Sequence, residues 1–184
     1  MVIMFLANGF EESEAILPLD LLRRGGIDVK TVSINDEEYV TGSHGITVKA
    51  DMAASDLGTE AYEMVILPGG PGTENLDNCE TVKNIVKKTY NEGGYLSAIC
   101  AAPMVLGKLG LLEGKKAACY PGYEKYLMGA DVGDGVRGYR AICDGRFITA
   151  CGIGEAHTFA YLMIKELKGE EVAKKVFSAT RYLD

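Results

Sequence analysis

An apolar run, Tyr95-Leu96-Ser97-Ala98-Ile99, ends in Cys100 and passes with no linker into a helix signal that opens Ala101-Ala102-Pro103. A chain joins strand to helix this abruptly only by turning sharply at the residue between them, which pushes that side chain out beyond the sheet edge. Small residues on both sides, Ala98 and Ala102, leave the space such a turn requires. The turn would also set the sulfur over the unpaired N–H groups of a helix beginning near Ala101, whose partial positive charge favours thiolate over thiol. A free cysteine is otherwise most simply a small buried apolar residue. The surroundings of Cys100 favour the nucleophile.

An elbow of this kind needs a sheet behind it. Val2–Leu6 is a continuous apolar run, as parallel strands are when helices cover both faces. Glu12–Arg24 carries Ala15, Ile16, Leu19 and Leu22 at helical spacing and stops at Gly25-Gly26. Residues 28–34 read as a second strand, and the Thr/Val-rich segment 37–52, broken by Gly42 and Gly45, as a small hairpin. Met64–Leu67 is a further buried strand, followed by the turn Pro68-Gly69-Gly70-Pro71-Gly72 and a helix over 81–92. Beyond the elbow come a helix over 101–109, a strand over 115–119 and a short helix over 122–127. A strand pair, 140–144 and 146–149, then turns at Asp144-Gly145, and helices over 154–167 and 170–178 close the chain. Strands alternating with helices specify an α/β fold with a mostly parallel central sheet. Ligands of such sheets bind beyond the carboxyl ends of the strands. The segment 8–14, the glycine turn, the Cys100 elbow and the chain after Cys119 and Ala150 all fall there.

With 184 residues the chain is most simply one domain, 1–184, large enough to bury a core without disulfide staples. The five cysteines, Cys79, Cys100, Cys119, Cys143 and Cys151, are odd in number and none lies in a C-x-x-C pair. That pattern fits neither a zinc site nor a disulfide framework, so the thiols are expected reduced and the protein cytoplasmic. A formal charge of −7 opposes binding to nucleic acid or to an anionic membrane. The apolar start is short, lacks a basic leader and reaches Glu11 and Glu12 at once, so it reads as a first strand, neither signal peptide nor membrane span. The turn 68–72 has neither G-x-G-x-x-G nor a P-loop lysine, which sets nucleotide binding aside.

Four blocks arrive in a telling order: Gly9-Phe10-Glu11-Glu12-Ser13-Glu14 with Pro18 and Asp20; Val65-Ile66-Leu67-Pro68-Gly69-Gly70; Ala98-Ile99-Cys100-Ala101-Ala102-Pro103; and Ile148-Thr149-Ala150-Cys151-Gly152-Ile153-Gly154. In these the chain resembles the ThiJ/PfpI superfamily, and within it the branch of the Parkinson-disease-linked protein deglycase. The resemblance implies a flavodoxin-like three-layer sandwich with Cys100 as nucleophile and Glu14 as the carboxyl group that hydrogen-bonds its sulfur. It also implies an anion pocket made by the backbone N–H groups of Gly70 and Ala101, where a glycine lets the backbone come close. A helix N-terminus favours an ionised Glu14 and burial beside a thiolate favours the neutral acid, and the sequence leaves both open. Glu11 and Glu12 read as solvated helix-opening glutamates.

Departures from the family pattern narrow the chemistry. Tyr120 stands where many relatives have a histidine, and Ala101 where the protease-like relatives have one, so no Cys-His pair is evident and a thiol protease is not expected. His44 aligns with a position often arginine in relatives, either a pocket residue for a small anion or a surface hairpin histidine. His157, in the long last helix, reads as structural. Cys119 and Cys151 are either small buried residues or resolving thiols for Cys100. Relatives dimerise through the first helix and the neighbouring hairpin, which implies a homodimer in which Arg24 reaches the partner's pocket.

The activity so implied is a glutathione-independent glyoxalase or deglycase acting on methylglyoxal, glyoxal or their adducts, with no cofactor and no metal. The alternative is a non-enzymatic peroxide sensor or chaperone whose Cys100 oxidises to sulfinic acid beside Glu14. The thiamine role suggested by the family name has no support in these residues.

Overall fold

Period-two alternation along buried strands decides both layers of the molecule. The computed structural model describes residues 1–58, 62–133 and 138–182. Its strands are β1 (Val2–Leu6), β2 (Val29–Ser33), β3 (Tyr39–Thr41), β4 (Thr47–Lys49), β5 (Met52–Ala53), β6 (Met64–Leu67), β7 (Tyr95–Ile99), β8 (Ala141–Asp144) and β9 (Phe147–Ala150). The helices are α1 (Glu12–Arg24), α2 (Thr73–Asn78), α3 (Glu80–Asn91), α4 (Pro103–Lys108), α5 (Ala156–Lys168) and α6 (Glu170–Ala179). The main sheet runs β5-β2-β1-β6-β7-β9-β8, parallel throughout except for β8, which lies antiparallel to β9.

Val2, Met4 and Leu6 of β1 pack with Ala15 and Leu22 of α1, Phe159 and Met163 of α5, and Phe177 of α6. Ile3 and Phe5, one residue out of phase, pack on the other face with Leu76 of α2, Val86 of α3 and Val105 of α4. Each Val, Leu, Ile, Met or Phe among them, fully removed from water, contributes about 1.5–3 kcal/mol. The result is the expected α/β sandwich, with helices on both faces of a mostly parallel sheet. The hairpin β3–β4 also forms where expected, although Met52 leaves it to extend the main sheet beside β2. Among the described residues no helix is long and apolar enough to cross a membrane.

Three local expectations are corrected. Residues 115–119 form no strand of the sheet: β7 and β9, whose ends they approach through Tyr120 and Ala118, are each already paired on both sides. They are held by an isolated bridge between Lys116 and Asp131 and by the Ala118 N–H, which donates to Thr149 Oγ1 at 2.8 Å. The segment 122–127 holds only a 3₁₀ turn, Glu124–Tyr126. The helix after the elbow begins at Pro103, since a turn intervenes in which the Ala102 N–H donates to Ile99 O, and proline's fixed φ suits the first helical position.

Candidate active site

The order of β2, β1 and β6 places a topological switch point beside β1, and the carboxyl ends of β1, β6 and β7 open onto it. Each strand delivers one part of the site. After β7 the chain turns at Cys100, whose φ of +64° lies in the left-handed region that non-glycine residues rarely adopt. Two hydrogen bonds hold this elbow: the Cys100 N–H donates to Ala150 O, and Cys100 O accepts from the Tyr120 N–H, both at 2.8 Å. Ala98 and Ala102 beside it are fully buried, as the tight turn demands.

After β1 the chain enters α1, with Glu11 as its N-cap. The Glu11 carboxylate accepts from the Glu14 N–H at 2.7 Å, and the Glu11 N–H donates to Gly69 O at 2.9 Å. Glu14 therefore sits in the first turn, one face of the helix aimed at the elbow, and is 1% exposed. Pro18 lies four residues further on and has no N–H to give the Glu14 carbonyl. After β6 comes the glycine turn. A Cβ on Gly69 would overlap Glu14 Oε2 and lie 2.5 Å from Cys100 Cβ, so only a glycine lets carboxyl and thiol share this floor. Gly70, at φ +92°, turns its N–H toward the sulfur.

Burial pushes the Glu14 carboxyl up to about 7, against the Cys100 thiol and the Gly69 and Ile153 N–H groups, which favour the carboxylate. Its Oε2 is buried with no hydrogen-bond partner of good geometry, which disfavours the ionised carboxylate. Facing an ionised Glu14, burial and the carboxylate's charge push the Cys100 thiol up to about 12, while the Ala101 and Gly70 N–H groups pull it down. At the sulfur, burial and the carboxylate's charge thus oppose the two N–H groups, and the nearest helix starts only at Pro103. The contact between them lets thiol and carboxyl share a proton. When Glu14 is protonated its O–H becomes a donor to sulfur; when it is ionised it is the base that takes the thiol proton.

Above the pair lies a cleft of about 410 Å³ lined by Gly70, Pro71, Thr73, Glu74, Cys100, Ala101, Met104, Tyr120 and Tyr123. Tyr120 and Tyr123 meet edge to face with ring centroids 6.4 Å apart and form an aromatic wall. Thus Cys100, Glu14, Gly70, Ala101 and Tyr120 come together. His44 does not join them. Its ring contacts Glu12 Oε2 at 2.9 Å, and its N–H donates to Glu12 Oε1 at 2.7 Å. Glu12, expected in solvent, is 6% exposed: burial pushes its carboxyl up, but the hydrogen bonds of His44 prevail and hold it at about 2. His44 thus pins the hairpin to α1 instead of lining the cleft. Arg24 pairs with Asp20 at 2.6 Å at the far end of α1, away from the cleft, and His157 stacks on Tyr182.

Glu11, Glu12 and His44 bring ligating atoms within 4.8 Å of one another, but both Glu12 oxygens are already engaged by His44 and Ser43. Sequence reasoning missed Gly69 as the shared floor, and Thr73, Glu74, Met104 and Tyr123 as lining. The doubled glycine after an apolar strand was the available signal for the first; α2, lacking apolar periodicity, offered none for Thr73 and Glu74.

The DJ-1/PfpI family matches residues 1–166. DJ-1 homolog A of Arabidopsis thaliana is 40% identical over 179 residues, which are 96% of this chain and 45% of that protein. The chain likewise spans 40% of the length of the Arabidopsis homolog B. A deglycase of Pyrococcus abyssi is 30% identical over 91% of this chain and 99% of its own length. Among solved structures, oxidized DJ-1 of Toxoplasma gondii superposes with a TM-score of 0.91 at 34% identity, covering 100% of this chain and 98% of that one.

Proposed function

The chain belongs to the DJ-1/PfpI family, and from that premise we propose that it is a single-domain, cysteine-dependent enzyme that converts small reactive aldehydes to hydroxy acids without glutathione. The observation that carries this reading is the enclosed pair of Glu14 and Cys100, with the Gly70 and Ala101 N–H groups facing the sulfur. The deglycase name of the Pyrococcus relative supports it.

With methylglyoxal, Cys100 Sγ attacks the aldehyde carbon and its proton passes to Glu14. The carbonyl electron pair moves onto oxygen, which the Gly70 and Ala101 N–H groups receive. Glu14 gives that proton to the neighbouring carbonyl oxygen as it takes the hydrogen of the first carbon as a proton, forming an enediolate, and then delivers this second proton to the neighbouring carbon, leaving a lactoyl thioester on Cys100. Water cleaves the thioester, releasing lactate and restoring the thiol, so one methylglyoxal and one water give one lactic acid. A deglycase would run the same steps on an adduct already attached to an amine or thiol.

The protein acts as a cytoplasmic homodimer in this reading. The half-exposed Ile46 of the hairpin and Ile16 of α1 supply apolar surface where relatives pair, and Arg24 would reach the partner's cleft.

Methylglyoxal loss and lactate formation without glutathione test the proposal in wild type, Cys100→Ser and Glu14→Gln. Many turnovers are expected in wild type and none in Cys100→Ser, with a fall of roughly a hundredfold or more in Glu14→Gln. Stoichiometric aldehyde consumption with no lactate would replace the enzyme with a thiol sensor.

A further inference from the structure

Two cysteines besides Cys100 lie on the same sheet edge, on segments that touch one another. Along β9, Phe147 packs on the α2–α4 face, and Ile148 and Ala150 on the other. Thr149 follows Phe147, its Oγ1 accepting the Ala118 N–H at 2.8 Å. The alternation continues to Cys151, whose N–H still donates across the ladder to Arg140 O at 2.7 Å, so Cys151 falls on the face that residues 118–120 cover. The next position touches them again: a Cβ on Gly152 would lie 3.6 Å from Tyr120 Cδ2. The segments 118–120 and 149–152 therefore meet at both ends, with Cys119 between the contacts on one and Cys151 on the other. The charge of Cys151 is felt at Cys119, after burial and Glu124, and both side chains are partly exposed.

Their neighbours are the residues that hold the elbow. Ala150, which accepts the Cys100 N–H, precedes Cys151; Tyr120, which donates to Cys100 O, follows Cys119. A bond between the two sulfurs would tie both supports of Cys100 together.

We propose that Cys119 and Cys151 form a redox dithiol that closes to a disulfide by exchange with a small-molecule disulfide, clamping the two segments that hold the Cys100 elbow. Burial raises both thiols, but Arg140 opposes that rise at Cys151, so Cys151 attacks first. Its thiolate forms a bond to one sulfur of the small disulfide, the S–S bond breaks, and the released thiolate takes up the proton Cys151 lost. The Cys119 sulfur then attacks the Cys151 sulfur of this mixed disulfide, and the second small thiol leaves with the Cys119 proton. The protein loses two electrons and two protons; the small disulfide gains both and becomes two thiols.

Glutathione disulfide is the probe. The protein is incubated with it, remaining thiols are alkylated, and tryptic peptides are weighed without reduction. Peptide 117–125, which carries Cys119, should appear joined to peptide 147–165, which carries Cys151, in wild type and equally in Cys100→Ser. The joined species should vanish with dithiothreitol and in Cys119→Ser or Cys151→Ser, each leaving a glutathione adduct on the surviving partner. Linkage of peptide 89–108, which carries Cys100, to either one, or adducts on both cysteines with no link, overturns the pairing. Closure should slow hydrogen exchange at the Tyr120 and Cys100 amides by about tenfold or more, as expected when a local opening is suppressed. Unchanged exchange in the linked protein overturns the clamp.

Discussion

Replacing Glu14 with Gln should remove a pH dependence of stability that the buried carboxyl imposes. Burial raises the Glu14 carboxyl from 4.5 to about 7 in the folded protein. Across that window the folded state holds a proton that the unfolded chain has lost, so wild-type stability falls as pH rises. At about 1.4 kcal/mol for each step of one in pKa, the rise from 4.5 to about 7 corresponds to roughly 3 kcal/mol. Linkage counts protons, so this holds whichever of Glu14 and Cys100 keeps the remaining proton of the pair. Gln has no proton to lose. Urea unfolding of both proteins at pH 4.5, 6 and 8 reads the effect directly. Glu14→Gln should gain on wild type by roughly 3 kcal/mol between the lowest and highest pH, about 1–1.5 M in midpoint for a slope near 2 kcal/mol per molar. Curves that stay parallel across the range would show that Glu14 titrates as an ordinary carboxylate, and the acid–base pairing with Cys100 would lose its basis.

Gly69→Ala should cost about 1–3 kcal/mol and displace Glu14 from the thiol, because its Cβ overlaps Glu14 Oε2; unaltered urea midpoint and lactate formation would contradict the shared floor. Thr149→Val keeps the shape but leaves the Ala118 N–H without its acceptor, a loss of about 1–3 kcal/mol that thermal or urea unfolding would reveal. A neutral result there would mean that water replaces the hydroxyl. Glu12→Gln should change acid unfolding, since the carboxylate held at about 2 contributes stability above pH 4.5 that is lost as pH falls toward 2. Followed by tyrosine fluorescence, an unshifted acid limb of the stability curve would count against the His44 tie.

The features legible in the sequence are those set by local pattern. The apolar run of β1, the helical spacing of α1 and the crowding of small residues around Cys100 each follow from neighbours in the chain, and the φ of +64° at Cys100 bears out the elbow. Tertiary competition is invisible to such reading. Residues 115–119 look like a strand, yet β7 and β9, which they approach, are already paired on both sides. The protonation of the Glu14–Cys100 pair was likewise out of reach, because it depends on how deeply two residues far apart in sequence are buried against one another. Glu12 and His44 teach the same lesson: a glutamate opening a helix looks solvated until a hairpin closes over it. The family motifs located Gly70 and Ala101, whereas α2 and the cleft residues it carries had too few apolar positions to announce themselves.

The central claim is that a positioned carboxyl group, Glu14, moves a proton between two carbons of an aldehyde held on Cys100. A proton delivered by a fixed group reaches one face of the carbon only. Chiral analysis of the lactate formed from methylglyoxal, after many turnovers and without glutathione, tests this most directly. The account predicts a single enantiomer from wild type; racemic lactate, or none, would contradict it.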